Sequence, residues 1–202
     1  MSTLISTTSP KNKKEIIVGV SGASGVEMSL SLLRALKRHP LTLHLVMTRG
    51  ALKTWGLESR RPLTALTSLA DIVHDDDDLA ASIASGSHQT EGLIVLPCSM
   101  KTLSAVTHGF SAGLLTRAAD VCLKEGRRLL LCPREMPLSR VHLANMLRAA
   151  ELGCVIMPPM LTFYNEPQRI EDLVEHLVGK ILMSFGLQHQ PFKAWKGELN
   201  CA

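Results

Sequence analysis

The stretch Ile16-Ile17-Val18-Gly19-Val20-Ser21-Gly22-Ala23-Ser24-Gly25 decides the fold. It opens with an apolar, largely β-branched run, the pattern of a strand buried on both faces. Ser21 to Gly25 is a glycine turn, and Val26 to Arg38 then reads as a helix. Strand, tight turn and helix make the first unit of an α/β fold with a parallel sheet. The same rhythm recurs downstream. Leu41–Met47, Gly92–Leu96, Arg128–Cys132 and Cys154–Met157 read as strands, the last three ending at Pro97, Pro133 and Pro158. Ala51–Leu57, Leu114–Glu125, Ser139–Leu152 and Arg169–Phe185 read as helices, with Ser139 an N-cap and Gly186 a stop. Residues 59–91 give no clear pattern beyond small helices. The fold class is α/β: a three-layer, doubly wound, mostly parallel sheet of Rossmann-like type. Such sheets bind ligands at the carboxyl ends of their strands.

Composition narrows the function. A chain of 202 residues corresponds to one domain at about 150 residues per domain, or at most two. Residues 1–14 are polar and read as a flexible arm, with 15–202 as a single domain. Apolar residues make up 46% and charged residues 20%, a globular balance. A net charge of +4 is too mild and scattered for a nucleic-acid reader, and no apolar run is long enough for a membrane span. The odd count of five cysteines, with no CxxC pair, argues against a disulfide framework and for a reducing, cytoplasmic setting. The eight histidines form neither HxxxH nor HExxH, so no metal constellation is visible.

The chemistry is expected on the loops that end the strands. Gly19-x-x-Gly22-x-x-Gly25 is not the dinucleotide fingerprint, but its small residues let backbone N–H groups approach an anion at a helix N-terminus. A turn kept small for packing has the same appearance. The second strand ends in Thr48-Arg49, with no carboxylate to hold an adenosine ribose, which favours FMN over NAD. Ser99-Met100-Lys101-Thr102 suits a flavin edge or phosphate, and equally a turn capping a helix. Arg117, Lys124, Arg134 and Lys180 are candidate anion contacts or plain surface charges; Arg134 follows Pro133, where a side chain is expected to be held. Glu58 and Glu135 are candidate proton-transfer carboxylates, Glu58 otherwise a helix-end surface residue and Glu135 an ion-pair partner of Arg134. Asp75 to Asp78 reads as a solvated acidic turn or helix start rather than a metal site, because adjacent carboxylates cannot all converge on one ion.

Five ordered segments carry a resemblance. They are Ile17–Gly25, Leu96–Leu103, Arg117–Glu125, Pro133–Ser139 with His142–Met146, and Pro158–Pro167. Together they resemble the flavin prenyltransferases of the UbiX type, a group that includes proteins once called phenylacrylic acid decarboxylases and the B subunits of hydroxyarylic acid decarboxylase systems. The likeness runs from Ile16 to Trp195. It implies the flavin-dependent cysteine decarboxylase-like flavoprotein fold. It implies an enzyme that joins a dimethylallyl group from dimethylallyl phosphate to N5 and C6 of reduced FMN. No metal takes part. The prenylated FMN serves a UbiD-type decarboxylase in aromatic acid decarboxylation, and the active sites lie between subunits of a homododecamer.

The resemblance also assigns residues. Gly22, Ala23 and Ser24 match the first flavin loop, with Ser24 near N5; Thr48, Ser99, Met100, Lys101, Thr102 and Arg134 match further FMN contacts. Glu58 matches a glutamate at the reacting flavin edge, and Glu135 a carboxylate used in proton transfer. Ser85, Gly86, Arg117, Lys124, Tyr164 and Lys180 match the prenyl-phosphate pocket, and Trp195 an aromatic cover. Two departures stand out. Lys180 replaces an arginine, losing the planar fork, and the second loop reads Ser-Met-Lys-Thr rather than Ser-Thr-Gly-Thr.

Three other readings compete. FMN-dependent cysteine decarboxylases share the fold, but carry a PASANT-like loop and a PxMNxxMW segment where this chain has Pro97–Thr102 and Pro133–Pro137. A non-catalytic flavin-binding subunit of an aromatic acid decarboxylase needs no prenyl-phosphate pocket, yet Glu58, Lys124, Glu135 and Tyr164 are present. Direct decarboxylation of an aromatic acid has no evident site. The loop chemistry predicts that the purified protein binds FMN and not NAD in a fluorescence titration; tight NAD binding without flavin affinity would overturn it.

Overall fold

The structure, a computed structural model, describes residues 13–195 and 197. Of the expected arm at residues 1–14, residues 1–12 lie outside the described residues, as does Cys201, and Lys14 already belongs to the first strand. The strands are β1 (Lys14–Val20), β2 (Leu41–Met47), β3 (Ile72–Asp75), β4 (Gly92–Cys98), β5 (Arg128–Pro133) and β6 (Val155–Ile156). The helices are α1 (Glu27–Leu36), α2 (Arg49–Glu58), α3 (Thr64–Thr67), α4 (Met100–Thr107), α5 (Leu114–Lys124), α6 (Arg140–Glu151) and α7 (Ile170–Ser184). One sheet of six strands has the order β3-β2-β1-β4-β5-β6, and every pairing is parallel. The chain winds outward from β1 to β3, returns, and winds outward again from β4 to β6. That is the doubly wound α/β class expected from the first strand–turn–helix unit.

The period of two along each strand separates two apolar layers. Ile16, Val18, Val20, Leu43, Leu45, Ile94 and Leu130 face α1 and α7, where Leu33, Leu36, Val178 and Ile181 complete one core. Ile17, Val46, Leu93, Val95, Leu129 and Leu131 face the other way, against Leu103 on α4 and Leu115, Ala118 and Cys122 on α5. Each fully buried Leu, Ile or Val contributes roughly 1.5–3 kcal/mol. Gly19 belongs to this second packing: a Cβ there would lie within van der Waals overlap of Leu115 Cδ1. Among the described residues no helix is long and apolar enough to cross a membrane.

Two of the differences from the sequence expectation change the sheet. Residues 59–91 hold a strand, β3, which was not expected; it pairs with β2 from His44↔Ile72 to Met47↔Asp75. It is a short edge strand with Ile72 and Val73 half exposed, so it lacks an apolar run. β4 does not end at Pro97 but continues to Cys98, with a register shift between Val95 and Cys98. The proline has no N–H to offer a ladder; its carbonyl instead accepts from the Ser21 backbone N–H and hydroxyl, both at 3.1 Å.

The acidic run settles into the turn after β3. Asp76 caps α5: its carbonyl accepts from Leu114 N at 2.7 Å and its carboxylate from Leu115 N at 2.9 Å. Asp75 and Asp78 accept from Asp77 N and Ala80 N, and Asp77 pairs with Arg49. The reading of this run as a solvated acidic turn agrees with these contacts. Losing an N-cap carboxylate costs about 0.5–2 kcal/mol. Asp76→Ala is expected to destabilise the fold by that amount in urea unfolding, whereas Asp78→Ala, which caps no helix, should be near neutral.

Candidate functional site

The reversal between β1 and β4 leaves a crevice at their carboxyl ends. It is a cleft of about 830 Å³, lined by Gly22, Thr48, Gly50, Ser99, Thr102 and Glu135 among others. Ser21, which sequence reasoning passed over, joins the two loops that flank it. Its hydroxyl donates to the Pro97 carbonyl and accepts from Ser99 N at 2.7 Å. Its only sequence signal is a hydroxyl directly after a buried strand.

Three wall elements follow from local chemistry. Ser99 is the N-cap of α4: its Oγ accepts from Thr102 N at 3.2 Å, and its carbonyl accepts from Leu103 N. The capping reading of this segment holds, and the cap leaves the Met100 and Lys101 N–H groups without an intrahelical acceptor at the cleft wall. Thr48 caps α2 in the same way, accepting from Ala51 N at 3.1 Å. Gly22 faces Gly50 so closely that a Cβ on Gly22 would lie 2.9 Å from the Gly50 backbone. The first loop is thus small both for packing and for backbone access, and Gly25 adds a left-handed φ of 95° that favours glycine.

Glu58 is more than a helix-end surface residue. Its Oε2 accepts from Gly25 N at 2.8 Å, tying the end of α2 to the first loop. Partial burial pushes its carboxyl up, but the Ser24 hydroxyl, the Gly25 and Val26 amides and the Arg134 charge outweigh it. The net effect holds Glu58 below the ordinary carboxylate value. Glu58 is therefore ionised at neutral pH and serves the loop as a hydrogen-bond acceptor.

The expectations for Arg134 and Glu135 change. Among the described residues Arg134 is held only through its backbone N–H, which donates to the Cys98 carbonyl at 3.0 Å; its side chain is exposed rather than held by Pro133. No Arg134–Glu135 ion pair forms among the described residues. Glu135 lines the cleft and accepts from its neighbour Met136 N at 3.0 Å.

The residues matched to a prenyl-phosphate pocket fall into two groups, neither among those lining the cleft. On the α5 side, Arg117 Nε donates to the Ala84 carbonyl at 3.1 Å and its Nη1 pairs with Asp120 at 2.7 Å. Lys124 pairs with Glu125 at 2.6 Å, and a Cβ on Gly86 would lie 2.6 Å from Lys124 Nζ. Ser85, exposed, precedes it. On the α7 side, the Tyr164 hydroxyl is 3.1 Å from His176 Nε2 and its ring meets Trp195 edge-on at 5.5 Å. Lys180 is exposed one helical turn beyond His176, whose pKa is lowered by burial and then by the Lys180 charge. α5 and α7 belong to opposite apolar layers, so the sheet stands between the two groups.

Two further findings concern reactive side chains. Burial pushes the Cys122 thiol up to about 12 and the Cys154 thiol to about 11, and it raises Cys98 and Cys132 as well. None is a thiolate nucleophile at neutral pH. One grouping has a geometry that could hold a metal ion though no sequence motif marks it: Glu15, His44 and His88 converge with their ligand atoms within 4.8 Å of one another. They come from β1, β2 and a loop, so no local motif announces them.

Comparison with known proteins agrees with this geometry. The profile of the flavoprotein family matches residues 4–182. A probable UbiX-like flavin prenyltransferase of Sedimentibacter hydroxybenzoicus is 53% identical over 183 residues, covering 90% of this chain and 97% of the relative. Among solved structures, a dodecameric FMN-dependent UbiX-like decarboxylase from Escherichia coli O157:H7 is 47% identical with a TM-score of 0.88, covering 91% of this chain and 100% of its own. AnUbiX in complex with FMN and dimethylallyl pyrophosphate is 43% identical with a TM-score of 0.90, covering 93% and 100%. The peptidyl-cysteine decarboxylase EpiD, at 18% identity and a TM-score of 0.60 over 74% and 83%, shares the fold alone.

The Glu58 contact makes a pH-dependent prediction. A carboxylate whose folded pKa is lowered stabilises the fold above its unfolded value, near 4.5, and that stabilisation is lost as pH falls through the folded value. Wild type should be more stable than Glu58→Gln at pH 7, and the gap should close below pH 4.5 in unfolding measurements. A gap constant from neutral to acid pH would contradict this.

Proposed function

The chain belongs to the flavoprotein family, among the UbiX-like flavin prenyltransferases, and we propose that it joins a dimethylallyl group from dimethylallyl phosphate to N5 and C6 of reduced FMN. FMN bound in the cleft supplies a π-rich ring with two nucleophilic positions. The observation that carries this reading is the Glu58-locked glycine loop facing the capped first turn of α4 across the switch-point cleft. Close backbone approach at Gly22 and open N–H groups at Met100 and Lys101 fit a planar, anionic ligand. Ala23, Ser24, Thr48, Thr102 and Arg134 complete the proposed flavin contacts.

The proposed roles follow from charge. Breaking an allylic C–O bond leaves a delocalised cation and a phosphate, and fixed cations stabilise the departing charge. Arg117, Lys124 and Lys180 carry that charge, with Ser85, Gly86 and the Tyr164 hydroxyl as further donors. Trp195, edge-on to Tyr164, covers the pocket and excludes water. Glu135, at the cleft wall, accepts the proton shed when the new ring closes at C6. No step here asks for a metal.

The sheet prevents the α5 and α7 groups of one chain from meeting on one phosphate, which supports a site built between subunits and an assembly up to a homododecamer. Val141, Leu143 and Leu147 on α6, with Met136, Met160 and Phe163 in the flanking loops, are exposed apolar residues suited to contacts between chains. The product, prenylated FMN, would pass to a UbiD-type decarboxylase acting on an aromatic acid. A cysteine decarboxylase or a purely flavin-binding subunit leaves the two cation groups without a role.

Anaerobic incubation with reduced FMN and dimethylallyl phosphate should yield a flavin heavier by one C5 prenyl unit, with or without EDTA. Unchanged flavin mass would overturn the reading. Glu135→Gln should retain near-normal FMN affinity while turnover falls by about 10²-fold. Wild-type turnover in that variant would reduce Glu135 to a cleft-lining residue.

A further inference from the structure

A cluster of histidines lies away from the cleft, on the α5 side of the sheet. His44 sits in the middle of β2 with its side chain buried, in register with Ile17. Its Nε2 is 2.7 Å from Glu15 Oε2. His88, in the loop before β4, brings its own Nε2 to 2.9 Å from the same oxygen. The two imidazole planes stand 78° apart with centroids 5.6 Å apart, so they approach that point from crossed directions. On its far side His44 Nδ1 is 2.9 Å from His74 Nε2, a contact that fixes the ring's orientation. The backbone behind the cluster is held too: Arg127 Nη1 donates to the His88 carbonyl at 2.7 Å, and Glu91 N to the Glu15 carbonyl at 2.8 Å.

We propose that Glu15, His44 and His88 form a binding site for a divalent transition-metal ion, with Zn²⁺ the best match. Two imidazole nitrogens and one carboxylate oxygen are a ligand set that zinc accepts and that calcium or magnesium, which require oxygen cages, do not. Bond lengths of about 2.0–2.2 Å place tetrahedral ligands roughly 3.3 Å apart, so the present contacts must open by about 0.5 Å. Glu15 and His88 are each only partly buried and can make that movement, while buried His44 stays fixed. Solvent completes the coordination on the exposed side. His44 Nδ1–H donating to His74 Nε2 leaves the His44 Nε2 lone pair for the ion, the second-shell arrangement typical of metal-bound histidine. His88 lies two residues beyond Gly86, so the ion would clamp to the sheet the loop carrying Ser85 and Gly86. The site is structural and takes no part in the prenyl-transfer chemistry.

The test uses tag-free protein stripped with chelator, dialysed, and then titrated with Zn²⁺ or Co²⁺. Expected are one ion per chain by elemental analysis, a visible Co²⁺ d–d absorption band of a low-coordinate site, and a rise in melting temperature on Zn²⁺ addition. Glu15→Gln and His88→Ala alter partly exposed groups and should keep the fold; each should weaken uptake by at least about 10-fold and abolish the melting shift. Substoichiometric uptake by the wild type, or uptake that both variants leave unchanged, would overturn the proposal and leave the cluster a hydrogen-bonded His–Glu–His bridge.

Discussion

The parallel pairing of β1 with both β2 and β4 is the constraint on which the rest of the structure depends. A parallel sheet must cover both faces, so the central strands lie between helices while edge strand β3 stays half exposed. Reversal of winding direction at β1 then leaves one place where two loops part and helices do not close over the strand ends. The first loop and the α4 cap meet there, joined by Ser21. Gly22 against Gly50 sets how near the backbone comes to a ligand. Glu58 in turn anchors the loop's exit into α1.

The same constraint divides the charges. A sheet buried on both faces is an apolar wall, and the cations on α5 and α7 stand on opposite sides of it. Within one chain the α5 cations are satisfied locally, Arg117 by Asp120 and Lys124 by Glu125. A phosphate that displaced those carboxylates would have charge-assisted donors already positioned. Exposed apolar residues on α6 would give the proposed assembly a surface along which two such walls can meet.

Much of this is legible in the sequence because burial imposes patterns. β2 and the body of β1, β4 and β5 read directly as apolar runs, and α7 as a stripe closed by Gly186. Ser139 and His142 form the cap at α6 where a serine before a helical run predicts it. Illegible parts lack a local signal. β3 is half exposed and borrows its order from β2. His44 hides in the run Leu43-His44-Leu45, and its partners come from strands and a loop distant in sequence. The Glu58 contact spans 33 residues, so no spacing rule could reveal it. Roles in binding prenyl phosphate came from resemblance alone, since an exposed arginine or lysine looks the same whether or not a ligand awaits it.

The central claim is that one active site draws its phosphate contacts from two chains, and subunit mixing tests it most directly. Arg117→Ala and Tyr164→Phe chains would be purified separately, then dissociated and reassembled together. Prenylated flavin would be quantified by mass spectrometry. The account predicts that each variant alone is impaired and that mixed assemblies regain part of the activity, because some sites then combine an intact Arg117 with an intact Tyr164 from different chains. Mixed assemblies no more active than the separate variants would contradict it.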